Sequence, residues 1–346
     1  VSACQQDGAW EQALQLLRDM FYDHVQRDTI TFNAAVSTCE QVGMWEVALW
    51  ILRVMAEDRV ERDVVSFSSA ISTCDKGGAY GPVLQLLHEM EQNHVERNYI
   101  TFNAAISSCQ KGAAWRQALQ LLRDMAAGSV QRDVVTFSAA VSTCRTSGVW
   151  ELAVELLREM TEDRVEGGTI TYSAAVSSCE KSGAWQPAVQ LLHDMAEDHI
   201  ERATITFNAA MSACEKGGVW ERALQLLLEM VKDRVERDTI TYSAAISACE
   251  KGGAYGPALQ LLRNMAQDRV ERNTVTYSAA VSACEKGWVW ESALELLRET
   301  VEYSVERDTI TFNAAISACE KGGAYGPALQ LLRNMAQDRV ERNTVT

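Results

Sequence analysis

The 346-residue chain contains 32 Lys and Arg against 47 Asp and Glu, which gives a formal net charge of −15. This acidic balance argues against a protein that binds nucleic acid mainly by neutralising phosphates. No apolar run approaches the ~18 residues that a membrane-spanning helix needs, and with only four prolines the chain shows no linker between domains.

A cysteine recurs every 35 residues from Cys4 to Cys319, and an aromatic residue follows each cysteine six positions later, from Trp10 to Tyr325. No insertion or deletion disturbs this spacing. A fixed period of this size predicts a solenoid, in which each unit buries its apolar face against its neighbours.

We divide the chain into a partial repeat (1–28), nine full repeats, and the start of a further repeat (344–346). The chain begins and ends inside a repeat, so we expect it to be a fragment of a longer protein that could carry additional repeats or a catalytic domain. Repeats 1 to 9 span residues 29–63, 64–98, 99–133, 134–168, 169–203, 204–238, 239–273, 274–308 and 309–343.

The apolar residues of each repeat predict two helices. In repeat 1 the first helix, helix A, has an apolar face formed at spacings i, i+3, i+4 and i+7 by Phe32, Ala35, Val36 and Cys39. Gly43 ends it, because glycine tolerates positive φ. A second stripe, formed by Trp45, Ala48, Leu49, Leu52 and Met55, predicts helix B, whose bulky residues are expected to fill the space between repeats. Two antiparallel helices per repeat predict an all-α fold, an α-solenoid.

The cysteines are predicted to be buried thiols in a reducing compartment. Equivalent cysteines of adjacent repeats would lie about 10 Å apart, beyond the ~7 Å limit between Cα atoms for a disulfide. The five histidines follow no metal-ligand spacing, and no nucleophile–base pair or phosphate-binding loop is present. We therefore expect neither a metal, a cofactor nor an enzymatic activity.

Two positions of the repeat vary within narrow limits. The fifth residue is always Asn or Ser: Asn33, Ser68, Asn103, Ser138, Ser173, Asn208, Ser243, Ser278 and Asn313. The last residue is mostly Asp or Asn: Asp63, Asn98, Asp133, Gly168, Ala203, Asp238, Asn273, Asp308 and Asn343. Helix capping explains the last position, but it does not explain Asn or Ser one turn inside helix A, where both are mediocre helix formers.

Two further positions lie on the polar face of helix A. The second residue is apolar although it lies three before the fifth: Ile30, Val65, Ile100, Val135, Ile170, Ile205, Ile240, Val275 and Ile310. The thirteenth residue is a lysine in seven repeats: Lys76, Lys111, Lys181, Lys216, Lys251, Lys286 and Lys321. An apolar clamp, a hydrogen-bonding side chain and a cation match the face, edge and phosphate of an unpaired nucleotide.

The sequences Thr-Ile-Thr-Phe-Asn, Cys-Glu-Lys-Gly-Gly and Ala-Leu-Gln-Leu-Leu-Arg-x-Met make the chain resemble the pentatricopeptide repeat family, specifically its pure 35-residue type. The resemblance implies a right-handed superhelix with helix A on the concave side, which binds single-stranded RNA one nucleotide per repeat with its amino terminus toward the 5′ end. It also implies a monomer without membrane contact, located in a mitochondrion or chloroplast, that acts in RNA processing, stability, translation or editing, with other RNA-processing proteins as further partners.

In that family the fifth and last residues of a repeat select the base together, and the second residues of adjacent repeats sandwich it. Carried onto this chain, Asn with Asp implies uracil in repeats 1, 3 and 6, and Ser with Asn implies adenine in repeats 2 and 7. Ser278 with Asp308 implies guanine, and Asn313 with Asn343 implies cytosine. Gly168 and Ala203 depart from the family pattern, so repeats 4 and 5 imply only a purine preference (R), and the target is 5′-UAU(R)(R)UAGC-3′.

The alternative interpretation is an α-solenoid scaffold that binds a protein or peptide in the same groove, as tetratricopeptide repeats do. The two-residue restriction at the fifth position favours RNA. The lysines are each preceded by a position that is usually acidic, as in Asp75 before Lys76, so we expect the groove to be only mildly positive. Stacking and hydrogen bonds would then contribute more of the affinity, at about 1 to 3 kcal/mol per stacked base.

Overall fold

The computed structural model describes residues 9–337, and within them it contains 19 α-helices and no strand. Helix A of each of the nine repeats begins at the first residue of the repeat. The A helices of repeats 1 to 9 are Thr29–Val42, Val64–Lys76, Tyr99–Lys111, Val134–Ser147, Thr169–Ser182, Thr204–Gly217, Thr239–Lys251, Thr274–Lys286 and Thr309–Lys321.

Helix B of every repeat begins at the predicted aromatic residue. The helix of the partial repeat is Trp10–Tyr22, and the B helices of repeats 1 to 9 are Trp45–Glu57, Tyr80–Gln92, Trp115–Ala127, Trp150–Glu162, Trp185–Glu197, Trp220–Lys232, Tyr255–Gln267, Trp290–Glu302 and Tyr325–Gln337. The predicted all-α solenoid is therefore confirmed.

The chain divides into two compact units, one of Val1–Ser147 with Glu151–Ala174 and the other of Gly148–Trp150 with Ala175–Thr346. Within each unit the A helices of consecutive repeats pack directly on one another, and B helices contact the A helix of their own repeat and that of the next. The seventh residue of helix A is a fully buried alanine throughout, such as Ala35 and Ala245. This small side chain lets neighbouring A helices approach closely.

In each repeat the core lies between helix A and helix B. In repeat 1 the predicted residues Phe32, Ala35, Val36 and Cys39 are fully buried, together with Ala48, Leu52 and Met55 from helix B. The aromatic residue that begins helix B is half-buried in most repeats, as at Trp45, which lies against Gly77 in the turn of the next repeat, but Tyr255 and Tyr325 are exposed. A Cβ atom at Gly252 would lie 2.3 Å from Cδ1 of Trp220, so glycine leaves the space that this ring occupies.

All nine cysteines from Cys39 to Cys319 are free and buried, as the spacing predicted. Burial raises the pKa of the Cys74, Cys109 and Cys249 thiols to about 12 from an ordinary value of 9.0. A thiol protonated at neutral pH is a poor nucleophile and a poor metal ligand, so these side chains act as core residues.

Residues 9–337 contain neither a candidate membrane span nor a candidate metal site. None of the described helices is long and apolar enough to cross a membrane. No group of three or more His, Cys, Asp or Glu side chains in this part of the chain could hold a metal ion.

The turn between helix A and helix B contains a left-handed residue in every repeat. This fifteenth position is glycine in seven repeats, for example Gly253 with a φ of 68°, but it is Ala113 in repeat 3 and Trp288 in repeat 8, with φ values of 50° and 61°. A left-handed conformation costs a side chain about 1 to 2 kcal/mol. Trp288 is 67% exposed, so little burial offsets this cost.

We predict that Trp288→Gly stabilises the chain by about 1 kcal/mol, because it removes the left-handed strain and loses little buried surface. The urea midpoint of unfolding should rise. The matched control is Gly253→Ala, which adds strain at the equivalent position of repeat 7, where a Cβ atom meets nothing within 4 Å, and should lower the midpoint. A lower midpoint for Trp288→Gly would contradict the prediction.

Candidate nucleic-acid interface

The last residue of a repeat caps helix A of the following repeat. The side-chain oxygen of Asp133 accepts a hydrogen bond from the backbone N–H of Thr136 at 2.9 Å, and Asn98 does the same for Thr101. Such N-caps satisfy an amide that has no partner within the helix. Ala203 makes no side-chain cap, because it has no oxygen.

The fifth and last residues of a repeat are here called the base-selection pair, after the role that the family resemblance implies. They lie in contact where the fifth residue is Asn and the last is Asp. The Nδ2 atom of Asn33 donates to Oδ1 of Asp63 at 3.1 Å. The equivalent distances are 3.4 Å from Asn103 to Asp133 and 3.1 Å from Asn208 to Asp238. Each pair joins residues 30 apart, so the capping carboxylate also holds the fifth side chain in place.

The serines at the fifth position make different contacts. The hydroxyls of Ser68 and Ser138 lie 2.9 Å and 2.6 Å from the Oγ1 atoms of Thr101 and Thr171, the third residues of the next repeats. Ser243 instead donates to the backbone oxygen of Thr239 at 2.7 Å, within its own helix. The fifth residues range from half-buried to buried, as at Asn208 with 8% exposure, and they lie between adjacent A helices.

The second residues are all exposed to solvent despite being apolar. Their exposed fractions run from 43% at Ile100 to 76% at Ile170. The fifth residue lies one helical turn away on the same side. The A helices therefore carry a row of apolar side chains beside the polar base-selection pairs.

The seven lysines at the thirteenth position are exposed, and five of them pair with the acidic residue of the preceding repeat. The Nζ atoms of Lys76, Lys251 and Lys321 lie 3.0, 3.1 and 2.9 Å from carboxylate oxygens of Glu40, Glu215 and Glu285. Lys111 and Lys286 pair with Asp75 and Glu250 in the same way. Lys216 donates to the backbone oxygen of Glu180 at 2.9 Å. Most of this row, the lysine row, is locally close to neutral.

An arginine just before the last residue connects consecutive repeats. The guanidinium of Arg132 lies 5.3 Å from the ring centre of Phe137 and 3.0 Å from Glu159 of the next repeat. Arg62 and Arg202 make equivalent contacts. These contacts stabilise the junction between repeats. The sequence pattern did not predict them.

The capping carboxylates have lowered pKa values. Partial burial raises the pKa of Asp133, but the hydrogen bonds from the backbone and hydroxyl of Thr136 and from Asn103 outweigh it, so the pKa lies below the ordinary 3.8. The pKa values of Asp63 and Asp238 are lowered by the same combination. These charges stabilise the fold above the ordinary pKa, and the stabilisation is lost as the pH falls through the folded-state pKa.

The structure thus brings together the fifth and last residues of repeats 1, 3 and 6 and places the second residues and lysines on the same exposed face. Asn343 lies outside the described residues. Sequence reasoning missed the third residue, although every repeat has Thr or Ser there. That restriction to hydroxyl side chains was the available signal.

We predict that the variant with Asp63→Asn, Asp133→Asn and Asp238→Asn is less stable than the wild type near neutral pH and that the difference shrinks toward about pH 3. Asparagine still caps the helices, as Asn98 does, but it has no carboxylate to protonate. Thermal melting from about pH 7 to about pH 3 measures the difference. A gap in melting temperature that stays constant over this range would contradict the prediction.

Solved structures similar to this chain include the crystal structure of the pentatricopeptide repeat protein PPR10 in complex with an 18-nt psaJ RNA element, at 19% identity and a TM-score of 0.56. The match covers 99% of this chain and 54% of that one, so this chain spans about half of its length. A triple cysteine-to-serine variant of the same complex gives the same values. PPR10 from maize matches at 15% identity and a TM-score of 0.47, over 99% of this chain and 63% of that one. At 19% identity the likeness to the two RNA complexes shows the fold alone.

Among curated proteins no match was found. Family models do match: the PPR repeat family at residues 202–251, the pentatricopeptide repeat domain at 15–77 and 120–182, and the PPR repeat at 170–200 and 310–340. Together they cover more than half of the sequence at the period seen in the helices. The chain belongs to the pentatricopeptide repeat family.

Proposed function

We propose that this chain binds single-stranded RNA, one nucleotide per repeat, along the exposed face of its A helices. The observation that carries the proposal is the combination of exposed apolar second residues with base-selection pairs held by hydrogen bonds. PPR10, which shares the fold, was solved with an 18-nt RNA element, and this supports the same ligand class here.

The row of second residues suits the faces of unpaired bases. Ile30 and Val65 are 75% and 53% exposed and occupy the same position in consecutive repeats. An apolar side chain on a solvated helix face is stabilised when a flat base covers it, and stacking of this kind tolerates any base. The second residues therefore provide affinity, and selection has to come from the base-selection pairs.

An Asn–Asp pair suits uracil. Asn103 donates one Nδ2–H to Asp133, which leaves its second N–H as a donor. That N–H can donate to O4 of uracil, whereas cytosine presents its own N4–H₂ donor at the same place. The same argument applies to Asn33 with Asp63 and to Asn208 with Asp238.

The proposed target is 5′-UAU(R)(R)UAGC-3′, with the bases of the other repeats assigned from the family pattern. The purine preference of repeats 4 and 5 is the least defined part of it, because Gly168 and Ala203 have no polar side chain. We also propose that the chain acts in RNA processing, stability, translation or editing inside a mitochondrion or chloroplast. It would act there as a monomer, together with other RNA-processing proteins.

A peptide-binding scaffold is the competing function. An exposed apolar row would also suit a peptide, but a peptide gives no reason for a fifth residue restricted to Asn and Ser. In repeats 1, 3 and 6 the hydrogen bonds between this residue and the last residue, 30 positions away, favour a role in base selection. Parallel selections from random RNA and peptide libraries separate the two functions.

We predict that a random RNA library selected on the chain is enriched in the proposed nine-base sequence. Ser243→Asn should move the seventh base from adenine toward cytosine, because repeat 7 then has the Asn–Asn pair of repeat 9, from which it otherwise differs only by Tyr242 in place of Phe312. Sequencing of the selected RNA measures the change. The other eight bases serve as the internal control, and an unchanged seventh base would contradict the base assignment.

We also predict a shallow dependence of RNA affinity on salt, because the lysine row is paired with acids. Free lysines would contribute a slope of about 0.7 each for a single strand. The variant Glu215→Gln, Glu250→Gln, Glu285→Gln unpairs Lys251, Lys286 and Lys321 and should bind more tightly at low salt with a steeper slope. Titrations at several salt concentrations measure both chains, and identical slopes would show that these lysines do not contact phosphates.

A further inference from the structure

The third residue of every repeat carries a hydroxyl group that the base-selection scheme does not use. The set comprises Thr31, Ser66, Thr101, Thr136, Thr171, Thr206, Thr241, Thr276 and Thr311. All except Thr31 are buried, with 0 to 1% exposure at Ser66, Thr101, Thr136 and Thr241. A buried hydroxyl needs a hydrogen-bond partner, and its partner differs between repeats.

After an Asn–Asp repeat, the partner is the fifth residue of that repeat. The Oγ1 atom of Thr136 donates to Oδ1 of Asn103 at 2.6 Å, across 33 residues of sequence. Thr241 donates to Asn208, and Ser66 donates to Asn33, at the same 2.6 Å. The carboxamide is therefore held at both ends, its oxygen by the hydroxyl and its nitrogen by the aspartate.

The hydroxyl has one proton, and the geometry directs it to the asparagine. Oγ1 of Thr136 lies 2.8 Å from Oδ1 of Asp133 and 2.6 Å from Oδ1 of Asn103. The Asp133 oxygen already accepts from the backbone of Thr136 and from Asn103. A reversed carboxamide would place its oxygen against the carboxylate with no proton between them, and the two oxygens would repel each other.

We infer that the third residue of the following repeat is a positioning residue for base selection: its hydroxyl fixes the carboxamide of the fifth-position Asn so that the N–H₂ side, and not the oxygen, faces the base. This inference rests on the proposed RNA binding and extends it. An N–H₂ group facing the base favours uracil with its O4 acceptor, and an oxygen would favour the N4–H₂ of cytosine. The base selected by one repeat thus depends on the next repeat.

The test is Thr136→Val, which keeps the shape of the side chain and removes the hydroxyl. It leaves Oδ1 of Asn103 unpaired, so the carboxamide loses one of its two anchors. We expect the preference for uracil over cytosine at the third base to fall about tenfold. The sixth base, selected by Asn208 beside the intact Thr241, should keep its preference.

The chain offers a matched control in Thr276→Val. Thr276 accepts the backbone N–H of its cap Asn273 at 3.0 Å, as Thr136 does from Asp133 at 3.2 Å, so both variants lose the same capping contact. The Thr276 hydroxyl donates to the backbone oxygen of Asn273, and Ser243 bonds within its own helix. Thr276→Val should therefore leave the seventh base unchanged. Thr136→Ser keeps the hydroxyl and should keep the preference for uracil, because Ser66 already makes this contact with Asn33.

A second measurement needs no RNA. Selective ¹⁵N-asparagine labelling, with Asn103→Ser to assign the signal, reports the exchange rate of the Asn103 carboxamide protons. Faster exchange in Thr136→Val but not in Thr276→Val would support the positioning role. Unchanged exchange, or an equal loss of base preference in both variants, would overturn it.

A wild-type chain without uracil preference at the third base would instead overturn the proposed function, and the carboxamide signal would still decide whether Thr136 positions Asn103.

Discussion

Within each of the two compact units, the direct packing of an A helix on the A helix of the next repeat is the contact on which the other features depend. A fully buried alanine at the seventh position, such as Ala245, permits the close approach. This approach brings the third residue of one repeat to within hydrogen-bond distance of the fifth residue of the previous one, as with Thr241 and Asn208 at 2.6 Å. Where this contact forms, the groups that the A-helix face can offer are consequently fixed by two repeats.

Stability and the proposed base selection involve the same atoms at these junctions. Asp238 caps the A helix of repeat 7 and also accepts a hydrogen bond from Asn208 of repeat 6. An aspartate that only capped a helix could be replaced by any good N-cap residue. Here the choice of Asp or Asn also decides which hydrogen-bonding groups the neighbouring fifth residue can offer, so a substitution at this position changes both the helix and the proposed recognition.

The net charge of −15 is compatible with the proposed ligand because of how the charges are paired. Acidic residues of one repeat neutralise lysines of the next, as Glu285 does for Lys321 at 2.9 Å, and most arginines before the last position are engaged with acids on the B helices, as at Arg132. The proposed binding on such a surface would rely on stacking against residues such as Ile240 and on hydrogen bonds to the base edges, both of which depend on geometry more than on salt.

The sequence by itself determined the period, the start of every helix, the buried face of helix A and the exposure of the apolar second residues, because each of these follows from a pattern inside one repeat. The tertiary structure alone decided the contacts between repeats: Thr136 with Asn103, Lys76 with Glu40, and the half-buried Trp220 against Gly252. These contacts join residues about one repeat apart. They depend on the offset between adjacent helices. Side-chain packing sets this offset, and the period of the sequence does not specify it.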